Sequence, residues 1–177
     1  NVLNRAFSNS YLGGDGIRLI STGHVTVNGT QSNTLTADAD MSEASLEDMM
    51  INLMNATDST GLRINLQSKK LVIPPNLAFE ATRILKSAGQ NDTANNATNA
   101  LKAMGYLTDI IVSPFITDTD VWFITTDVMN GLIVVNRRAV ALEKDSDFDT
   151  GNYKHKATER FVPGWADWRG VYGSQGA

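Results

Sequence analysis

Lys70-Leu71-Val72-Ile73-Pro74-Pro75-Asn76-Leu77-Ala78-Phe79-Glu80-Ala81-Thr82-Arg83-Ile84-Leu85-Lys86-Ser87 reads as a strand, a stop and a helix in one run. Leu71, Val72 and Ile73 are consecutive and apolar, the pattern of a strand covered on both faces. Pro74 and Pro75 end it, because proline has no amide proton to give to a ladder. The fixed φ of Pro75 also suits the first turn of a helix. That helix runs from about Asn76 to Ser87, with Leu77, Ala81, Ile84 and Leu85 inward and Gly89 as its stop.

Upstream, a second helix starts at Asp40-Met41-Ser42-Glu43. Asp40 or Ser42 can cap its free amides, and Glu43 suits the positive end of the helix dipole. Leu46, Met49, Met50, Leu53 and Met54 recur at helical spacing and form one buried stripe, ending near Asn55. Three methionines there suit core packing better than a binding face. Leu62 to Leu66 alternates apolar with polar and reads as a half-buried strand, and Ile17 to Ile20 as a short one. Gly13-Gly14-Asp15-Gly16 is a sharp turn, since no lysine-hydroxyl pair follows that would make it a phosphate loop. Thr22 to Asp40 is a long polar loop with a weak hairpin at Asn28-Gly29. The opening Val2, Leu3, Ala6 and Phe7 look like the end of an amphipathic helix, which suggests the back portion of a longer protein.

Downstream, Gln90 to Asn99 is rich in asparagine without a large apolar anchor, so it reads as an exposed loop. Leu107–Val112, Asp120–Thr126 and Leu132–Val135 are strand candidates. Glu143 to Tyr153 reads as an acidic turn. Lys154–Val162 and Trp165–Tyr172 read as two long strands paired around Pro163-Gly164. With no internal repeats, the expected class is α+β.

The chain has 177 residues, 15 Lys and Arg against 19 Asp and Glu, a formal net charge of -4 and no cysteine. A strongly basic nucleic-acid binder is thereby excluded, as are disulfides, thiolate metal sites and a cysteine nucleophile. No apolar run approaches the roughly 20 residues that span a bilayer, and no signal peptide is recognisable. The only histidines are His24, in the polar loop, and His155, between two lysines; neither has an evident orienting carboxylate. Asp145, Asp147 and Asp149 imitate the start of a calcium loop, but Thr150 stands where the glycine belongs and Lys156 where the bidentate glutamate belongs. No catalytic residue, cofactor site or metal site is expected. Lys154, Lys156, Arg160 and Arg169 are interleaved with acids such as Asp167 and lie near Trp165 and Trp168, a set that suits either a protein interface or a core rim.

The ordered segments Asn4-Arg5-Ala6-Phe7, Gly14-Asp15-Gly16, Leu19-Ile20-Ser21-Thr22-Gly23-His24, Leu46-to-Met54, Leu71-to-Pro75, Leu77-to-Leu85, Thr117-to-Phe123, Asp147-to-Asn152 and Asp167-to-Ala177 resemble the back portion of a tailed-bacteriophage major capsid protein with the Hong Kong 97-type fold. The resemblance implies an axial lobe over about 62–135. It implies a peripheral lobe made of 1–61, including the end of a spine helix, with 136–177. The family's N-terminal arm and extended loop have no counterpart here. It further implies a structural subunit that assembles with itself into hexamers and pentamers around double-stranded DNA, without sequence specificity, in a virion built in the host cytoplasm. Portal and scaffold or maturation partners are implied too, and no membrane. Lys154, Lys156, Arg160, Trp165, Asp167, Trp168 and Arg169 are the candidate subunit contacts. Asn91, Asn95, Asn96 and Asn99 are the candidate exposed axial-loop residues. A tail or connector subunit is the alternative, and a small hydrolase a more distant one.

Overall fold

A computed structural model describes residues 1–89, 97–107 and 109–177. Its centre is a four-stranded sheet in the order β4 (Asp109–Val112), β3 (Ser68–Ile73), β5 (Trp122–Thr126), β8 (Val171–Ser174). β3 and β4 are parallel; the other neighbours are antiparallel. The continuous apolar run places β3 where expected: Leu71, Val72 and Ile73 are all buried, and so are Trp122, Phe123 and Ile124 of β5. Successive side chains of a strand point to opposite faces, so these two strands feed two cores. One core takes Leu71, Ile73, Trp122, Ile124 and Tyr172. The helices α1 (Glu43–Met54), α2 (Ala78–Lys86) and α3 (Ala100–Met104) cover it with Leu46, Met49, Met50, Leu53, Ala81, Leu85 and Leu101. The other core takes Val72, Phe123 and Val171 and is covered by Ala6, Leu19, Ile20, Ile116 and Trp168.

The local signals explain the elements. Ser42 caps α1: its hydroxyl accepts from the Ser45 amide at 3.1 Å, while the Ser45 hydroxyl accepts from the Ser42 amide at 2.8 Å. Two amides that have no partner within the helix are satisfied at once. The methionine stripe is mainly core, as its spacing implies, although Met54 is 42% exposed. It borders a shallow apolar depression with Ile51, Leu101, Met104 and Tyr106. After Pro74, a 3-10 turn at Pro75–Leu77 leads into α2. The weak hairpin at Asn28-Gly29 is present, with β1 (His24–Thr26) against β2 (Gly29–Gln31) and Gly29 at φ 108.

Four expectations are corrected. Ile17 to Ile20 is not a strand; Leu19 and Ile20 are fully buried as irregular chain over the sheet. Leu62 to Leu66 makes only an isolated bridge, Thr57 with Arg63. Leu3–Arg5 is a 3-10 turn rather than an α-helix end. The largest difference is late in the chain. β6 does not stop at Val135 but runs through Leu132–Ser146, and its partner β7 is Tyr153–Trp165. The strand passes through Pro163-Gly164 without turning, and the turn is at 147–152. Pro163 is tolerated because among the described residues neither β6 nor β7 has a further neighbour, so its missing amide breaks no ladder on the outer side. Trp168–Gly170 is a 3-10 turn, and β8 pairs with β5, not with β7.

The outcome is a compact body and an arm. Thirteen residues of β7 at about 3.3 Å each give an arm of roughly 40 Å. Nearly all of its residues are exposed on both faces. Its root is fixed where Gly131 meets Gly170: a Cβ on Gly170 would stand 2.3 Å from the Gly131 Cα, so both positions require the missing side chain. The Ala166 amide donates across the same junction to the Asn130 carbonyl at 3.1 Å.

Candidate functional site

Two places gather the residues that sequence reasoning singled out. The first is a knot under the sheet, at the root of the arm. Trp168 is buried and stacks on His24, with ring centroids 4.3 Å apart and planes 6° from parallel. The Arg169 guanidinium lies over the Trp168 ring at 4.3 Å. It donates to the Thr57 carbonyl at 2.9 Å, to Gln31 Oε1 at 3.0 Å and, at 3.4 Å, to Asp167 Oδ1. Asp167 also accepts from the Arg169 amide at 3.0 Å. Trp165 packs against the same core. This set therefore holds four separate chain segments together, and its polar groups are committed within the chain. As contacts to another subunit, Trp168 and Arg169 are corrected: the indole is covered and the guanidinium side chain is only 11% exposed. Asp167 and Trp165 keep partial exposure beside them.

His24 differs from its reading as a surface-loop residue. It is fully buried, and its Nδ1 lies 2.6 Å from Asp15 Oδ2. That is an oriented histidine, the second half of a nucleophile-base-acid chain. The chain stops there, because Nε2 is buried with no hydrogen-bond partner and no hydroxyl reaches it. The arrangement joins the 13–16 turn to β1. His155, by contrast, is exposed on β7 opposite Lys144. Among the described residues, no three histidine, aspartate or glutamate side chains are placed to hold a metal ion.

Sequence reading passed over Asn33 entirely. It is fully buried in the polar loop. Its Nδ2 donates to the carbonyls of Leu19 at 2.7 Å, Val171 at 2.8 Å and Trp168 at 3.2 Å, while its Oδ1 accepts from the Ser21 amide at 2.9 Å. One side chain thus replaces the ladder that these irregular segments lack. A loop of Thr, Asn, Ser and Gly offers several equivalent asparagines, so no local signal marks this one.

The second place is the arm. Lys154, Lys156 and Arg160 are exposed on β7. Lys154 pairs with Asp147 at 2.7 Å and Lys156 with Glu143 at 3.3 Å, while Arg160 lies opposite Arg138. The tip is organised: the Asp147 amide donates to the Asn152 carbonyl and the Gly151 amide to the Asp147 carbonyl, both at 2.9 Å, with Gly151 at φ 70. Phe148 is wholly exposed on it. The Lys154 ammonium, and after it the Thr150 hydroxyl, hold the Asp147 carboxyl below its ordinary value of 3.8. A carboxylate whose folded value is depressed stabilises above its unfolded value and loses that contribution as pH falls through the folded one. The tip contacts of Asp147 therefore persist down to pH 3.8 and loosen only below it. A carboxyl-detected NMR titration checks this: Asp147 should titrate below 3.8, and Lys154→Ala should move its midpoint upward. An unchanged midpoint in that variant would refute the assignment.

Of the four asparagines expected to be exposed, Asn91, Asn95 and Asn96 lie outside the described residues. Asn99 is a correction. It is 2% exposed and caps α3, accepting from the Lys102 amide at 3.1 Å and donating to the Ile84 carbonyl. The residue that looked like the end of a loop is the start of a helix, and capping is what buries it.

Comparison with known proteins completes the description. A family model described as phage capsid protein matches residues 3–174. No curated protein matches. Among solved structures the chain is similar to the virus-like particle from Pyrococcus furiosus, at 16% identity and TM-score 0.40, covering 80% of this chain and 55% of that one. It is similar to a structure from Mycobacterium phage Che8 at 20% identity and TM-score 0.45, covering 88% and 54%. It is also similar to the capsid of an empty GTA particle at 16% identity and TM-score 0.47, covering 96% and 60%. The chain thus spans between about half and three-fifths of those chains. No helix among the described residues is long and apolar enough to cross a membrane.

Proposed function

The chain belongs to the phage capsid protein family, and from that premise we propose that it is the repeating wall subunit of an icosahedral head. It is a structural, non-enzymatic component of the virion. In the proposal, copies associate as hexamers and pentamers and close around double-stranded DNA without reading its sequence. A net charge of -4 suits a wall that must not hold its own genome fast. Portal, scaffold and maturation partners, and assembly in the host cytoplasm, belong to the same reading.

The observation that carries it is the arm. A two-stranded ribbon of this length is marginal in water on its own. Here it also leaves Val134, Val140, Leu142, Phe161 and Val162 more than half exposed. A subunit that ends its life packed against copies of itself has a use for such a surface. The Hong Kong 97-type arrangement is carried forward as part of the proposal: 62–135 as the axial lobe, with 1–61 and 136–177 contributing the peripheral one. One amendment is needed, because α1 and β8 pack on or pair within the sheet of the middle segment. The arm then becomes the main peripheral element, and Lys154, Lys156 and Arg160 remain as proposed contacts. Electron microscopy of the complete gene product tests the reading. Closed shells or capsomers are expected. Monodisperse small particles, even with scaffold and protease partners present, would overturn it.

A further inference from the structure

We infer that the outer half of the arm continues into a sheet shared between subunits, with β7 of one copy pairing along β6 of the next and all tips pointing the same way. The inference rests on the wall-subunit reading and names the contact through which copies meet.

The register of the arm supports it. Between Asn136 and Ala141 the pairing with β7 is irregular, but from Ala141 opposite Thr158 to Ser146 opposite Tyr153 it is an unbroken ladder. The two strands form a sheet of their own, so among the described residues both outer edges of this ladder lack a neighbouring strand. Alternate backbone amides and carbonyls along each edge are therefore open, which is a template for another strand. Pro163 blocks the same on β7 near the root, so the template is confined to the outer half.

Charge then selects the occupant and the direction. Residues directly opposite share a face, so Glu143, Asp145, Lys154 and Lys156 lie on one face, acids on β6 and bases on β7. The other face holds Leu142, Lys144, Tyr153, His155 and Ala157. Placing β7 beside the next copy's β6 in the register already used within the arm sets Lys156 beside Glu143 and Lys154 beside Asp145. On the other face it covers Leu142 and Tyr153, now 78% and 77% exposed. Two-fold pairing about Lys144 on β6 would instead set Glu143 against Asp145, and about His155 on β7 it would set Lys154 against Lys156. Like charges directly opposite are unfavourable. The contact that remains uses a different edge on each copy, and such contacts close into rings when the rotation allows.

Cysteine cross-linking tests it, since the chain has no cysteine of its own. Lys156 and Glu143 side chains are 65% and 55% exposed, so Lys156→Cys and Glu143→Cys leave the fold alone; circular dichroism of each variant checks this. Opposed Cβ atoms in a strand pair lie about 4.5–5.5 Å apart, close enough to bridge with small adjustment, and diagonal neighbours about 7–8 Å. The two variants, carried by complete gene products with distinct isotope labels, are co-assembled and oxidised. The expected result is a disulfide-linked dimer containing one of each, absent when either variant assembles alone. Shells without that mixed dimer would overturn the shared sheet and leave the wall reading standing. Dimers from Glu143→Cys alone or Lys156→Cys alone would overturn it in favour of two-fold pairing. If no assembly forms even from the wild-type protein, both readings fall.

Discussion

Asn33→Ala should cost about 3–5 kcal/mol of folding stability, read as a lowered urea midpoint at unchanged slope by circular dichroism. The size follows from what is left behind rather than from what is removed. The carbonyls of Leu19 and Val171 and the amide of Ser21 depend on this one side chain, while the Trp168 carbonyl also accepts from the Val171 amide. Leu19 and Val171 are fully buried and Trp168 nearly so. A neutral hydrogen bond contributes only about 1 kcal/mol net, whereas an orphaned buried group costs about 1–3 kcal/mol. Several orphans at one site make the second figure decide. Some relief comes from within, because the Asn33 backbone carbonyl also accepts from the Gly173 amide at 3.1 Å and that bond survives. Asn33→Asp should be nearly as damaging, since a carboxylate accepts from Ser21 but donates to none of the three carbonyls. A loss under about 1 kcal/mol in both variants would show that water replaces the amide, and the structural role assigned to Asn33 would fail.

What was legible in the sequence, and what was not, divides along the same physical line. Elements that bury an apolar pattern against the sheet announced themselves. The Leu71-Val72-Ile73 run, the stripe from Leu46 to Leu53 and the Ser42 cap carry their reason in their own spacing. Elements defined by long-range polar contacts did not. Asn33 reaches residues 14 and 138 positions away, and Asp15 finds His24 only because the chain turns back on itself. Leu19 and Ile20 looked like a strand because their burial is strand-like, but their partners are side chains and turns. The arm was legible only in part, since Leu132–Val135 and Lys154–Val162 read as strands but neither their extent nor their pairing did. An exposed ribbon has no inner face, so the alternation that marks a half-buried strand is absent, and Glu143 to Tyr153 reads as an acidic turn. The candidate contacts split accordingly. Trp165, Trp168 and Arg169 are internal ties at the root of the arm, and Lys154, Lys156 and Arg160 lie on the arm itself. Indoles beside an arginine make good anchors wherever they are, and sequence alone does not say whether they anchor another chain or another loop.

Trp122→Ala should be comparably damaging, costing about 3–5 kcal/mol, because it removes the largest fully buried side chain from the middle of the helix-covered core. Against a total stability of about 5–15 kcal/mol for a domain of ordinary size, that loss is enough to leave a sizeable unfolded fraction at 37 °C. The comparison with Trp122→Phe separates the two things the indole does. Its Nε1 donates to the Ala39 carbonyl at 3.1 Å, but that carbonyl also accepts from the Ser174 hydroxyl at 2.9 Å. Losing the indole therefore does not orphan the acceptor, and phenylalanine forfeits mainly volume. The expected cost is about 1–2 kcal/mol for the phenylalanine variant, well short of the alanine one. The ordering matters beyond the core. Ala39 leads directly into the cap of α1, and Ser174 in β8 also accepts from the Ala39 amide at 3.0 Å. Trp122 and Ser174 together fix where α1 lies on the sheet, so the alanine variant should also loosen α1. Hydrogen exchange at Met49 and Met50 should rise by a factor matching the global loss if α1 opens only with the whole body, and by more if it detaches first. Equal urea midpoints for the alanine and phenylalanine variants would show that the hydrogen bond, not the packing, carries the contribution of Trp122.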